Sequence, residues 1–422
     1  MPIRLIYTNI TSQVNISRTS TIIDNIEYKY IPHNLKLDDI SIYKEILRIN
    51  IIKKLINIFI EHIKKFRGKM KNINNIFKHN KLVENCHKWC WVQYNNPTLQ
   101  DSTIPYVKDE NYDFEDFISS FNDVVIETIT INDISDLILD VKNFLKKSFI
   151  DYTKTPKNIN IELNKIIKDD DVILQCHHDN KIYKINIHIN VYDRLIKKLK
   201  SNENIIDDKY IFCLMFRYTY LDAGNQQLAI HKKIKELFKN YNVNFELFGS
   251  AINVLSDHYC SLYYDIEKYF GSMGNFFDIE IISGIYWCNP PYVNSIMTNA
   301  ALKIIDTIND KKNIAFIITI PVWDKYTQNL KIDKITRNLN KNTSPDTHKD
   351  YPIYQLLKPY IKDELFIPKN RISYFNYRQY KQIFAVDTYI IIVYNNISNT
   401  MFHTIFNNII ELDKSNYFQL HN

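Results

Sequence analysis

Between Asp39 and Phe66 the apolar residues Ile42, Ile46, Ile49, Ile52, Ile56, Phe59, Ile60, Ile63 and Phe66 recur at helical spacing, and Gly68 follows where a helix would end. This predicts one long amphipathic helix with Lys53, Lys54, Lys64 and Lys65 on its solvated face. From Met70 to Ser148 the pattern continues in less regular helical pieces, interrupted by a loop from Pro97 to Pro105. Near Ile182 the period changes to two, with Ile185, Ile187, Ile189 and Val191 alternating with Lys184, Asn186, His188 and Asn190. Together with Val172 to Leu174 and a turn at His178-Asp179-Asn180, this predicts a hairpin. A basic helix from Tyr192 to Lys200 and a polar linker from Ser201 to Asp208 follow.

Beyond residue 208 helices and strands alternate. The pattern predicts helices from Tyr210 to Leu221 and Gln227 to Asn240, a strand from Asn244 to Phe248, and a helix near Asp257 to Tyr264. A strand from Ile285 to Cys288, a helix from Val293 to Ile308, and strands from Ile314 to Ile320 and Tyr389 to Tyr394 follow. The strands are apolar on both faces, so the expected fold class is α/β: a buried, largely parallel sheet flanked by helices, behind a helical amino-terminal region. The expected segments are a helical region 1–165, a hairpin and helix 166–204, the sheet domain 205–398 and a tail 399–422. Of the six glycines, five (Gly224, Gly249, Gly271, Gly274, Gly284) fall in this half, pointing to specialised loops there.

Composition narrows the function classes. With 45% hydrophobic and 24% charged residues the chain is ordinary for a globular protein, and no apolar run is long enough for a membrane span. The first residues do not read as a secretory signal, so the expectation is the cytoplasm or nucleus with reduced thiols. Cys86-His87 with Cys90, and Cys176-His177-His178, are the only metal-ligand spacings, and no metal site is expected from them. A net charge of +6 is compatible with a polyanionic partner without requiring one.

The sharpest chemical signal is Asn289-Pro290-Pro291-Tyr292, directly after an apolar strand and before a helix. In open α/β sheets ligands bind beyond the carboxyl ends of the strands. Two prolines form a stiff turn without amide donors, so their carbonyls, with the Asn289 carboxamide oxygen, are free to accept hydrogen bonds from an amine. That suits an exocyclic purine amine, a poor nucleophile until acceptors draw its protons out of conjugation with the ring; Tyr292 can stack on the base. A second signal runs from Phe245 to Asn253, a strand entering a loop of small residues. There Phe248, Gly249 and Ser250 let a cofactor lie against the backbone, and Glu246 and Asn253 offer polar contacts.

Four ordered motifs resemble the phosphorylated-CTD-interacting-factor family, the cap-specific adenosine N6-methyltransferases: Phe248 to Asn253, Tyr269 to Gly274, Asn289 to Tyr292 and Thr319 to Trp323. The family pattern has Ala and Pro where this chain has Gly249 and Ala251, Arg where it has Met273, and Phe where it has Tyr292. The resemblance implies a Rossmann-like class I methyltransferase domain, S-adenosylmethionine as cofactor and capped mRNA as substrate. It implies RNA contacts from Asn294, Trp323, Asp324 and Lys325, and from Arg18 upstream. Arg371, Tyr374, Tyr377, Arg378, Tyr380 and Lys381 interleave cations with aromatics, a composition suited to gripping phosphates and stacking on bases. Animal members carry a WW domain; Trp89 and Trp91 lie too close together to frame one, so this chain resembles a member lacking it, and a viral member would act in the cytoplasm of the infected cell.

The expected activity is therefore N6-methylation of the cap-adjacent adenosine, with no obligate protein partner and no membrane. Two alternatives stay open. One is an adenine N6-methyltransferase for DNA or internal RNA sites; the other is a catalytically silent RNA-binding scaffold that keeps the fold.

Overall fold

The computed structural model describes residues 3–5, 21–23, 26–28, 37, 39–66, 75–94, 99–101, 104–107, 112–122, 129–154, 159–203, 206–221, 228–243, 245–254, 256, 258–321, 352–369, 372–383, 386–397 and 399–414. Arg18, Trp323, Asp324, Lys325 and Arg371 lie outside the described residues. The contacts divide the chain into two compact units, Leu35–Gln226 and the combination of Met1–Asn34 with Gln227–Asn422.

In Leu35–Gln226 the predicted long helix spans Asp39–Lys64 and buries Ile42, Ile46, Ile49, Ile52, Phe59 and Ile63, while its four lysines are exposed or at the turn beyond it. Helices Asn75–Tyr94, Glu115–Asn122 and Ser135–Thr153 follow. Trp89 and Trp91 share the helix Asn75–Tyr94 and are both buried, Trp89 stacked on Phe114 at 5.1 Å. Inside the unit Glu45 accepts hydrogen bonds from both Arg48 and Arg217, and Arg48 also donates to the Tyr152 hydroxyl at 3.2 Å. The stretch read as a loop from Pro97 to Pro105 holds a short strand, Leu99–Asp101, paired with Tyr106–Val107.

The predicted hairpin exists as Asp171–His178 against Lys181–His188, with a third antiparallel strand, Glu162–Lys168, that the alternation did not reveal. That strand is exposed along nearly its whole length, so it carries no buried face to pattern it. Ile189 and Val191 continue the alternation in sequence but open the helix Ile189–Glu203, which buries Val191 and Leu195. Helix Asp208–Tyr220 closes the unit.

The second unit is built on a six-stranded sheet in the order His258–Tyr259, Phe245–Glu246, Gly284–Cys288, Ile314–Pro321, Thr388–Asn395, Ile361–Ile367. The first three pairings are parallel and the last two antiparallel, so the sheet is mixed where the sequence suggested a largely parallel one. Ile314–Pro321 is buried at every position, as a central strand covered on both faces must be. One apolar layer packs Met297, Ala300, Ala301 and Ile304 of helix Asn294–Asp310; the other gathers Ile234, Phe238, Phe402, Ile405 and Ile409.

Three elements differ from the sequence reading here. The predicted helix from Gln227 begins only at Lys232, because Leu228–Ile230 forms a strand beside Tyr374–Asn376 and the His231 side chain caps the helix by accepting from Lys233 N at 3.2 Å. The predicted helix from Asp257 to Tyr264 is instead the short strand His258–Tyr259, with helical turn Tyr264–Glu267 later; Tyr259 is fully buried against its strand neighbour. Residues read as a tail form helix Asn399–Lys414. Ile3–Leu5 adds in parallel to Ile279–Ile281 in a separate four-stranded sheet.

Candidate active site at the carboxyl ends of the parallel strands

The parallel register sends the exits of Phe245–Glu246, His258–Tyr259, Gly284–Cys288 and Ile314–Pro321 to one rim. Two reversals bring the end of Ile361–Ile367 and the start of Thr388–Asn395 to the same rim, since Pro321 lies opposite Thr388 and Thr388 opposite Ile367. The motif Asn289-Pro290-Pro291-Tyr292 leaves the third of these strands, with Pro290 buried and the other three half-buried. The Pro291 carbonyl accepts from Val293 N at 2.7 Å, so it is not free as the sequence suggested. Pro290 contributes a carbonyl and Asn289 a carboxamide as further acceptor groups of the motif. The Tyr292 hydroxyl donates to Asn289 Oδ1 at 3.3 Å.

The loop leaving Phe245–Glu246 is tied down from within. Ser250 N donates to Asn253 Oδ1 at 2.9 Å, and Asn253 N donates back to the Ser250 carbonyl at 3.1 Å. Glu246, 1% exposed, is engaged beneath the loop by Lys235, whose ammonium lies 3.1 Å from Oε2 and also donates to the Asn253 carbonyl at 3.1 Å. Lys235 further rests 4.5 Å from the centroid of the Trp287 ring, whose Nε1 donates to Thr319 Oγ1 at 3.0 Å. One buried lysine thus connects the small-residue loop to the two central strands. Phe248, half-buried, meets Phe276 at 5.1 Å and Phe277 at 5.9 Å, giving the loop an aromatic flank.

That flank is set by Lys303 of helix Asn294–Asp310, whose Nζ donates to the carbonyls of Phe276 at 2.6 Å, Phe277 at 3.0 Å and Ile279 at 2.6 Å. Burial lowers the Lys303 ammonium to a pKa of about 8.

Sequence reasoning missed Glu267, which is fully buried and accepts from Ala251 N at 2.7 Å and from the Tyr259 hydroxyl at 2.9 Å. Burial, reinforced by this carboxylate, pushes the Tyr259 phenol up. The contact explains one departure from the family pattern, because a proline at position 251 has no N–H to donate. In the loop from Tyr269 to Gly274, Gly271 and Gly274 take φ values of +93° and +130°, which L side chains rarely adopt. Met273 between them is 6% exposed and packs in the apolar core, a place unsuited to arginine.

Tyr374 and Tyr377, read as stacking residues, point inward at 2% and 7% exposure, leaving Arg378 and Lys381 exposed. Tyr374 sits 2.5 Å from Thr388 Oγ1, and burial holds its phenol above the ordinary range. Asn294 opens the helix after the motif. Cys86, Cys90 and Cys176 are buried free thiols, and among the described residues no three potential ligands cluster around a metal position. Nor is any described helix long and apolar enough to cross a membrane.

Residues 188–349, which contain the motif and the loops before it, match the family model described as phosphorylated CTD interacting factor 1 WW domain. This stretch is similar to the phosphorylated CTD interacting factor family. Over 123 residues the chain is 31% identical to the mRNA (2'-O-methyladenosine-N(6)-)-methyltransferases of Homo sapiens and of Mus musculus. The match covers 27% of this chain and 17% of each relative, so the chain spans about a sixth of the length of the curated relatives it matches. The residues of the phosphorylated CTD interacting factor match include the four parallel strands, the loops at their exits and the motif.

Proposed function

We propose that this protein is an S-adenosylmethionine-dependent methyltransferase that modifies the N6 amine of the cap-adjacent adenosine of mRNA. The carrying observation is the position of Asn289 to Tyr292 at the exit of a central parallel strand, beside the small-residue loop from the neighbouring strand. The parallel strands, with helix Asn294–Asp310 behind the motif, support a Rossmann-like class I core.

The residues present fit a nucleoside methyl donor. Gly249, Ser250 and Ala251 put little bulk at the strand exit, Phe248 and Phe277 offer aromatic faces, and Glu246 and Asn253 fix the loop. In that site S-adenosylmethionine would supply an electrophilic methyl. Asn289 and the Pro290 carbonyl accept from the adenine amine, drawing its lone pair toward the methyl, and Tyr292 holds the base in plane. No covalent enzyme intermediate is needed, so the protein's contribution is positioning and electrostatics.

Substrate choice follows from the family resemblance. Trp323 offers a face for the cap guanine, Asp324 and Asn294 offer polar contacts, and Lys325, Arg371 and exposed Arg378 offer cations for the triphosphate. Incubation with methyl donor and capped RNA, uncapped RNA or DNA, followed by nucleoside mass spectrometry, tests the proposal. N6-methyladenosine confined to the capped position supports it; equal methylation of DNA or internal sites would sink it.

A further inference from the structure

Strand Glu162–Lys168 forms one edge of the antiparallel sheet that it builds with Asp171–His178 and Lys181–His188. On the middle strand Val172, Leu174 and Cys176 are buried, and Ile187 and Ile185 continue that apolar face on the far strand. The residues that continue it on Glu162–Lys168 are Ile167, Lys165 and Leu163, the register partners of the same three. Here the cover stops: Val172 is 1% exposed, and Ile167 opposite it is 64% exposed. Among the described residues no strand pairs with the outer edge of Glu162–Lys168, so its outward N–H and C=O groups offer a template for another strand.

Lysines on an open edge commonly guard it against such pairing. Against a second copy of this strand neither lysine does so. Lys165 is paired within its own chain, its ammonium 3.0 Å from both the Tyr192 hydroxyl and Asp208 Oδ2. Lys168 stands at one end of the strand and Glu162 at the other, so reversing the strand brings opposite charges together. Laid antiparallel on itself about Lys165, the strand sets Glu162 opposite Lys168, Leu163 opposite Ile167 and Asn164 opposite Ile166. Centring on Ile166 would set Glu162 against Asp170, and centring on Asn164 would set Leu163 against Lys165 and Glu162 against Ile166. The register about Lys165 matches charge with charge at both ends and joins the two uncovered apolar residues, while Asp208 neutralises each lysine that meets at the two-fold axis.

We propose that two copies of this protein associate through strand Glu162–Lys168, antiparallel about Lys165, so that their two three-stranded sheets become one sheet of six. Each copy covers the other's Ile167 with its Leu163. The edge is seven residues long. That is less surface than the roughly 1,200 Å² at which stable interfaces begin, so the pairing is reversible, with a dissociation constant on the order of 10–100 µM.

Sedimentation velocity on the full chain tests this, and wild type should pass from monomer to dimer between about 1 and 300 µM. Glu162→Lys and Lys168→Glu should each weaken the dimer about five- to thirtyfold, because each sets like charges opposite at two symmetry-related places. An equimolar mixture of those two variants should form a heterodimer within about twofold of wild-type affinity, since lysine then faces glutamate at both ends. Lys165→Cys should form a disulfide between copies under mild oxidation, because directly opposite residues bring their Cα atoms within disulfide range. The native cysteines are buried and do not compete. Ile182→Cys, exposed on the far edge strand, should not cross-link. A wild-type chain that stays monomeric to about 300 µM overturns the proposal. So does a dimer that neither charge reversal weakens, a mixture of the two variants that stays monomeric, or a cross-link at Ile182→Cys without one at Lys165→Cys.

Discussion

Asn289 directly follows strand Gly284–Cys288 and Lys235 rests on its Trp287, and the two carry different kinds of consequence. On the proposed function Asn289 acts where charge develops, so Asn289→Ala should reduce kcat by on the order of a hundredfold or more while methyl-donor affinity, measured by calorimetry, stays within about tenfold. A matching loss of donor binding would assign the residue to the cofactor instead. Lys235 is a buried cation whose removal strands the Glu246 carboxylate. Lys235→Met should therefore destabilise the sheet unit by about 3–5 kcal/mol in urea unfolding, and Lys235→Met/Glu246→Leu should recover most of it, because an apolar pair replaces an ion pair at little cost. Failure of the double variant to recover would mean that Glu246 has a further essential contact.

Among the elements, helices make the strongest commitments. Glu45 on Asp39–Lys64 ties Arg48 of its own helix to Arg217 of Asp208–Tyr220, and Arg48 reaches Tyr152 of Ser135–Thr153. Glu45→Ala leaves two buried guanidinium groups without this carboxylate and should cost the helical unit about 3–5 kcal/mol, read as a lower urea midpoint at unchanged slope. The Lys303 clamp on Phe276–Asp278 makes a pH prediction. Its ammonium titrates near 8 in the folded protein and near about 10.4 in an unfolded chain. Between these values the unfolded chain binds the extra proton, so this group makes stability rise with pH across that window. A carbon-13 label on the Lys303 Cε should titrate with a midpoint near 8; a midpoint above 10 would show that the three carbonyls outweigh burial.

Elements with a strong apolar pattern were readable from sequence alone, as the amphipathic helix Asp39–Lys64 and the fully buried strand Ile314–Pro321 show. The motif after Gly284–Cys288 was readable because proline and asparagine leave a chemical mark. What could not be read depends on partners far along the chain. Leu228–Ile230 is too short for its period to separate strand from helix, and Tyr374–Asn376 decides it. Glu267 and Tyr374 look like any acid and tyrosine until the fold buries them beside Ala251 and Thr388. Helix Asn399–Lys414 differs from these, because Phe402, Ile405, Phe406 and Ile409 repeat at helical spacing and its apolar face is written in the local sequence.

For the whole molecule, substrate choice is the property most open to test. If the cap is the target, Trp323→Ala should raise KM for capped RNA at least tenfold, on the order of the 1–3 kcal/mol of one stacked base, with donor affinity unchanged, and a cap analogue should compete. A neutral Trp323→Ala would remove the cap guanine from that residue. Lys325→Ala and Arg378→Ala should weaken RNA binding with a shallower salt dependence, each removing about one phosphate contact.

The pairing of Ile3–Leu5 with Ile279–Ile281 has a consequence for biosynthesis. The first strand of the sheet unit leaves the ribosome long before its partner, and the whole of Leu35–Gln226 is translated between them. At about 5–20 residues per second that interval lasts on the order of tens of seconds. The helical unit can complete its own contacts during that wait, while the early strand, paired with Ile26–Tyr28 on one side, keeps its other edge open until the ribosome has passed residue 281. Slowed elongation within the helical unit should therefore lengthen the period in which nascent chains are captured by holding chaperones, and deletion of the first five residues should shorten it.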